Sequence, residues 1–363
     1  MRGPRLPARP RLGRLPNVEM RQLGRTGVQV SAHCLGAMMF GAWGNPDHDD
    51  CVRIIHRALE AGINFVDTAD AYAAGESEEI VGTALKGRRD DVVLATKVHF
   101  PSGAGPNQRG NSRLYIMRQV EESLRRLGTD HIDLYQIHRP EPATDIEETL
   151  GALTDLVRQG KVRYLGSSVF PGWMTVEAQW AAERRNLERF VCEQPPYSIL
   201  VREVERDIFP VTQRYGMGTI VWSPLAGGWL TGKYRRGEEP PEDSRAARVR
   251  KFNPRTADRF NLELETNRRK LDLIDQLSVI ADKAGVSLTH LSMAFVLAHP
   301  AVTSAIIGPR TMTQLDDVLA AADLRLDADT LDAIDGVVAP GDVVENADRG
   351  WDPPWLSPDA RRR

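Results

Sequence analysis

Ile132-Asp133-Leu134-Tyr135-Gln136-Ile137-His138, the segment Ile146–Arg158 and Tyr164-Leu165-Gly166-Ser167-Ser168 form the stretch that decides the fold. The two outer runs are short and largely apolar, the pattern of strands buried on both faces of a parallel sheet. Between them Leu150, Leu153 and Leu156 recur at three-residue spacing, which predicts an amphipathic helix. Gly160 stands just past that helix, where a left-handed C-terminal cap favours glycine. Strand, crossover helix and strand together make a βαβ unit, whose strands run parallel.

The same alternation extends in both directions. Further strands are expected near Cys34–Ala37, Asn64–Asp67, Val92–Thr96, Val191–Gln194, Thr219–Trp222 and Ser304–Ile307. Helices are expected over Asp49–Leu59, Ser77–Lys86, Ser112–Leu127, Met174–Arg185, Val204–Arg214, Glu265–Ala284 and Ser287–Ala298. Eight strand–helix units in series favour a closed α/β architecture, a (β/α)8 TIM barrel, over an open sheet. Ahead of them Arg21–Leu23 and Val28–Val30 flank Gly24-Arg25-Thr26-Gly27 and read as an N-terminal β-hairpin. Arg235–Phe260, dense in Arg, Glu, Asp and Pro, reads as a long loop after strand seven.

The barrel is expected to span 20–336 as one domain. Residues 1–19, with Arg2, Arg5, Arg9, Arg11 and Arg14 among prolines, read as a disordered leader without the apolar core of a secretory signal. Residues 337–363, with Trp351, Trp355 and several prolines, read as an irregular tail lying over the barrel. The chain has 363 residues, 41% of them hydrophobic, and a net charge of −3. That balance gives no long-range attraction to nucleic acid or anionic membrane. No apolar run approaches the roughly 18 residues of a spanning helix. Cys34, Cys51 and Cys192, far apart and without CxxC spacing, read as reduced thiols of a cytoplasmic protein. No metal site is expected.

Catalytic groups of such a barrel sit at the C-terminal ends of its strands. That rule brings Asp67, Lys97 and His138 to one mouth, with Tyr72 in the second strand-to-helix loop. Each alone is equally a structural charge or a packing residue; the convergence is what points to chemistry. A phenol has a pKa near 10, and an adjacent ammonium lowers it. Lys97 can supply that cation, Asp67 can hold Lys97, and His138 can hydrogen-bond a substrate carbonyl. The set suits protonation of an oxygen as hydride reaches carbon. No G-x-G-x-x-G follows an early strand, which argues against a Rossmann site. Barrels bind phosphate with the loops after strands seven and eight. Here those are Trp222-Ser223-Pro224-Leu225-Ala226-Gly227-Gly228 and Gly308-Pro309-Arg310-Thr311.

Asn64-Phe65-Val66-Asp67-Thr68-Ala69-Asp70-Ala71-Tyr72, with Ala95-Thr96-Lys97-Val98 and Gln136-Ile137-His138, resembles the aldo-keto reductase signatures over about Met20 to Leu326. The branch resembles bacterial reductases and potassium-channel β-subunits. The resemblance implies a catalytic tetrad of Asp67, Tyr72, Lys97 and His138 and an NADPH cofactor. It implies that Trp222 stacks on nicotinamide and that Gln194 and Ser168 hold the carboxamide. It implies contacts to the pyrophosphate from the Ser223 and Leu225 backbone, with Pro224, Gly227 and Gly308 also cofactor-binding and Lys233 adding charge near the phosphates. Arg310 would pair with the 2′-phosphate, favouring NADPH over NADH, and Gln314 and Asp317 would reach the adenosine end. Two positions depart from the pattern: Val169 stands where the family usually has Asn or Arg, and Val318 where it often has Asn. Trp43, His99, Phe100 and Trp351 are the expected substrate-pocket walls. Two readings stay open: a reductase of small-molecule aldehydes or ketones, and an NADPH-binding redox-sensing partner subunit with slow turnover. A barrel isomerase or lyase is a third, opposed by Trp222 and Arg310. Substrate, direction and oligomeric state are not readable from the residues.

Overall fold

The computed structural model describes residues 18–242, 244–252 and 258–361. The expected leader therefore lies almost wholly outside the described residues. Two antiparallel strands, β1 (Met20–Gln22) and β2 (Gln29–Ser31), form the hairpin. Eight parallel strands close a barrel: β3 (His33–Gly36), β4 (Phe65–Asp67), β5 (Val93–Val98), β6 (Ile132–Ile137), β7 (Val162–Ser167), β8 (Phe190–Glu193), β9 (Gly218–Val221) and β10 (Ser304–Ile307), with β10 returning to β3. Each observed strand begins and ends within two residues of its expected bounds. The chain is a (β/α)8 barrel with an N-terminal hairpin.

The helices packed around it are α1 (His48–Glu60), α2 (Glu76–Ala84), α3 (Arg113–Leu127), α4 (Ile146–Arg158), α5 (Gly172–Arg185), α6 (Ile208–Tyr215), α7 (Arg245–Phe252), α8 (Glu265–Lys283), α9 (Leu288–Ala298), α10 (Met312–Leu319), α11 (Ala328–Val337) and the short α12 (Pro358–Arg361). Local chemistry sets their ends. Ser112 caps α3 by accepting from Tyr115 N, and Gly128 ends it with φ 62°. Val204–Arg214 is not one helix but a 3-10 turn at Glu203–Glu205 followed by α6. The Asp207 carboxylate accepts from Ile208 N at 2.7 Å and restarts the helix there. The loop after β9 is also not wholly irregular, since it contains α7.

Two cores position the site. Inward-pointing Cys34, Phe65, Ala95, Leu134, Cys192 and Ile220 fill the barrel interior, and Leu23 and Val30 of the hairpin join them. The hairpin thereby plugs the N-terminal end. Gly24 makes this possible: with φ +58° it lies so close to β9 that a Cβ would sit 2.5 Å from Gly218 N. The larger core packs the helices onto the outside of the strands. With one end stoppered, the C-terminal end is the open mouth. Among the described residues no helix is long and apolar enough to cross a membrane, and no group of three His, Cys, Asp or Glu is placed to hold a metal ion.

Candidate active site

Asp67 ends β4 and Lys97 lies in β5, two residues beyond the Asp67–Ala95 pair and so on the same face, and both side chains point into the barrel mouth. Lys97 is fully buried and all three of its protons are used. Its Nζ donates to Asp67 Oδ2 at 2.6 Å, to the Thr68 carbonyl at 2.7 Å and to Tyr72 Oη at 3.2 Å. Gln136 and Gln194 donate to Asp67 Oδ1 at 3.2 and 3.0 Å, so the carboxylate is held from both sides.

The loop that carries Tyr72 is shaped by unusual backbone. Ala73 and Ala74 take φ 48° and 56° before α2 begins. Thr68, Ser77 and the Ala37 carbonyl lock that loop to β3 through two 2.8 Å hydrogen bonds. Burial raises the Tyr72 pKa above 10; the Lys97 charge pulls it down and Asp67 pushes it up, without reversing the result. The expectation that lysine makes this phenol more acidic than usual is corrected to that extent. Tyr72 is a protonated phenol at neutral pH, held against a cation that stabilises the phenolate once the proton leaves. Burial opposes the Lys97 charge, yet Asp67 and Tyr72 outweigh it and hold its pKa above the usual value.

His138 packs edge-on to Tyr72 and Phe100, with ring centroids 5.6 and 4.8 Å apart. Burial, then Lys97 and Arg139, push its pKa well below 6.5. It is a neutral imidazole, able to donate one hydrogen bond. Its Nδ1 is buried and has no protein partner among the described residues.

These groups open onto a cavity of about 940 Å³, in the range of ligand sites. Asp67, Tyr72 and His138 line its floor, and Lys97 lies beneath them. Ser168, Gln194, Trp222, Ser223, Pro224, Leu225 and Gly227 line one side, followed by Lys233. Gly308, Arg310, Gln314 and Asp317 line the far end at the start of α10. There Thr311 caps the helix, and Gln314 Oε1 accepts from Arg310 N at 2.9 Å. Ser223 and Ala226 adopt φ 58° and 48°, which curls the loop after β9 around the cavity. The Gln194 amide, expected to hold a cofactor carboxamide, is partly used within the protein: its Nε2 also donates to Gln136 Oε1 at 3.1 Å.

Trp43, Phe100 and Trp351 lie on the cavity wall. His99 does not, which corrects its assignment as a pocket wall. Its Nδ1 bonds Asn111 Oδ1 at 2.9 Å, and its ring props Phe100 edge-on from behind. Trp355 stays outside as well, against Trp173 and Trp351.

Several cavity residues escaped the sequence reading: Arg139, Arg245, Arg259, Met38, Met293 and Gly350. Arg139 was legible in principle, standing next to His138. Arg245 and Arg259 lie in the stretch expected to be a mere loop. Burial lowers the Arg245 pKa, and Arg259 beside it acts in the same direction. Together with Lys233 and Arg310 they give the cavity a cationic end that suits phosphate. Gly350 brings the tail onto Trp222; a Cβ there would lie 2.6 Å from the indole. Val169, at the departing position, has φ 61°, a conformation that a β-branched residue rarely adopts and Asn tolerates.

The profile of the Aldo/keto reductase family matches residues 33–339. The chain is 42% identical over 325 residues to "Uncharacterized oxidoreductase YrpG" of Bacillus subtilis, covering 86% of this chain and 94% of that protein. It is 35% identical over 338 residues to "Probable voltage-gated potassium channel subunit beta" of Arabidopsis thaliana, covering 88% and 97%. It is 34% identical over 334 residues to a Schizosaccharomyces pombe protein provisionally named as an aryl-alcohol dehydrogenase, covering 84% and 91%. A match across most of the barrel, over the strands that carry the buried Asp67–Lys97 pair, places this chain in the aldo/keto reductase family of oxidoreductases.

Proposed function

We propose that the protein is an NADPH-dependent reductase of aldehydes or ketones, with Tyr72 as proton donor. The observation that carries the reading is the 3.2 Å contact between Lys97 Nζ and Tyr72 Oη at the floor of the cavity. Tyr72 gives its proton to the carbonyl oxygen. Lys97 then holds the phenolate, and Asp67 keeps Lys97 charged and oriented. His138, neutral, donates a hydrogen bond to the carbonyl oxygen and aligns it.

NADPH, when bound, supplies the hydride. The residues present fit it: the cationic end made by Lys233, Arg245, Arg259 and Arg310 suits phosphates. The curled Ser223–Gly227 loop, with Pro224, Leu225 and Gly308, would take the pyrophosphate on its backbone. Arg310 would meet the 2′-phosphate, with Gln314 and Asp317 at the adenosine end. Trp222 would stack on the nicotinamide, and Ser168 and Gln194 would hold its carboxamide. The three thiols are free and buried, in keeping with a reducing compartment such as the cytoplasm.

Tyr72→Phe is expected to lower turnover of aldehydes by about 100-fold or more while NADPH binding, followed by fluorescence, stays near native. Near-native turnover in that variant would sink the mechanism. A second reading comes from the relatives named as channel β subunits: a cofactor-binding partner protein with slow turnover. Tight NADPH binding with negligible reduction across a panel of aldehydes, ketones and quinones would favour it.

A further inference from the structure

Arg139 follows His138 directly, yet the carbonyl chemistry makes no use of it. Its guanidinium stands on the cavity wall, half-buried, 5.5 Å from the centre of the Phe100 ring. One of its five donors is accounted for, by Nη1 on the His138 carbonyl at 2.6 Å. Among the described residues no carboxylate forms an ion pair with it. The neighbouring acids are committed elsewhere. Asp67 holds Lys97. Glu193, whose charge acts on Arg139 through space, is fully buried and accepts from Ser167 Oγ and from Phe170 N at 3.1 Å. A cation partly removed from water without a countercharge is unfavourable. It is tolerated where a ligand brings the countercharge, and a planar fork of donors matches a carboxylate.

We propose that the preferred substrates are carbonyl compounds that also carry a carboxylate, bound by Arg139, with Phe100 and Trp43 against the apolar body between the two groups. Arg139 and Tyr72 line the same cavity and act on each other electrostatically, so one small molecule can reach both. The inference rests on the carbonyl-reductase reading and assigns its substrate class. The Arg139 charge would act chiefly on binding, because the carboxylate is present in ground and transition states alike.

The test compares 3- and 4-formylbenzoate with the matching formylbenzamides, which keep the shape and lose the charge. With the wild-type protein and NADPH, kcat/KM for at least one formylbenzoate is expected to exceed that of its amide by about 10- to 100-fold, mostly through KM. Arg139→Gln should bring the ratio near one, and Arg139→Lys should restore part of it, which a merely structural role would not. A wild-type ratio near one at both positions, or a ratio unchanged in Arg139→Gln, overturns the proposal. If no benzaldehyde is reduced at all, the carbonyl-reductase reading has failed, and the anion site is read by binding. Benzoate should then perturb the tryptophan fluorescence of the wild-type protein and not of Arg139→Gln; no response in the wild-type protein overturns the proposal.

Discussion

At Tyr72 two effects oppose each other. Burial favours the neutral phenol and the Lys97 ammonium favours the phenolate; burial prevails, so the side chain waits in its acid form. His138 is kept neutral by burial and two neighbouring cations. Neither group changes charge near neutral pH. The rate of the reduction step, measured in single turnover, is therefore expected to show no inflection from either group around neutral pH and to fall as pH rises through the raised Tyr72 pKa. An inflection near pH 6.5 that persists in Glu193→Gln would show that His138 works as a charged acid. The identities of these residues were legible in the sequence because strand periodicity fixes which ends meet at the mouth. Their protonation states were not, because desolvation depends on what packs around them. For the same reason His99 was misplaced: one residue past the end of β5, its direction follows from Asn111, at the far end of the same β5–α3 loop.

At the scale of elements, the mouth is built by segments with weak local signals. Arg248 of α7 donates to the Gly44 carbonyl at 2.5 Å, so the segment after β9 reaches across to the loop after β3. The tail is pinned by Asp348, which accepts from Lys270 Nζ at 2.7 Å and from Arg259 Nε at 2.9 Å. Lys270 is fully buried, so removing its carboxylate partner should be severe. Asp348→Ala is expected to destabilise the fold by about 3 kcal/mol in chemical denaturation. It should also release Gly350 from Trp222, weakening NADPH binding and admitting a quencher to that indole. A variant with native stability and unchanged Trp222 accessibility would show that the tail is held by other contacts. These links join residues far apart in the chain. Arg, Lys and Asp at such spacings read as solvated surface until their partners are known.

At the scale of the whole molecule, two buried carboxyls act on stability. Burial pushes Asp70 up to about 8 and Glu193 up to about 7. Both are raised, so each stabilises the fold most below its unfolded pKa, near 4. That contribution is lost as pH rises through about 7 for Glu193 and about 8 for Asp70. For Asp70, whose oxygens have no partner among the described residues, the loss is roughly 1.4 kcal/mol per pH unit until the folded pKa is reached. Asp70→Asn removes that proton. Its stability relative to wild type, followed by denaturant midpoint, is expected to rise steadily from pH 6 to 8. A difference that does not vary with pH would mean Asp70 is ionised in the folded chain.

The residues themselves determined the barrel, its hairpin and the convergence of Asp67, Tyr72, Lys97 and His138. Apolar periodicity and strand polarity are local properties, and a closed parallel sheet leaves one end for chemistry. Tertiary structure alone decided which cations face the cavity, which aromatic side chains wall it and how the tail seals it. Arg139, Arg245 and Arg259 acquire meaning only from groups brought beside them by folding, since charge pairing and burial depend on separation in space and not along the chain.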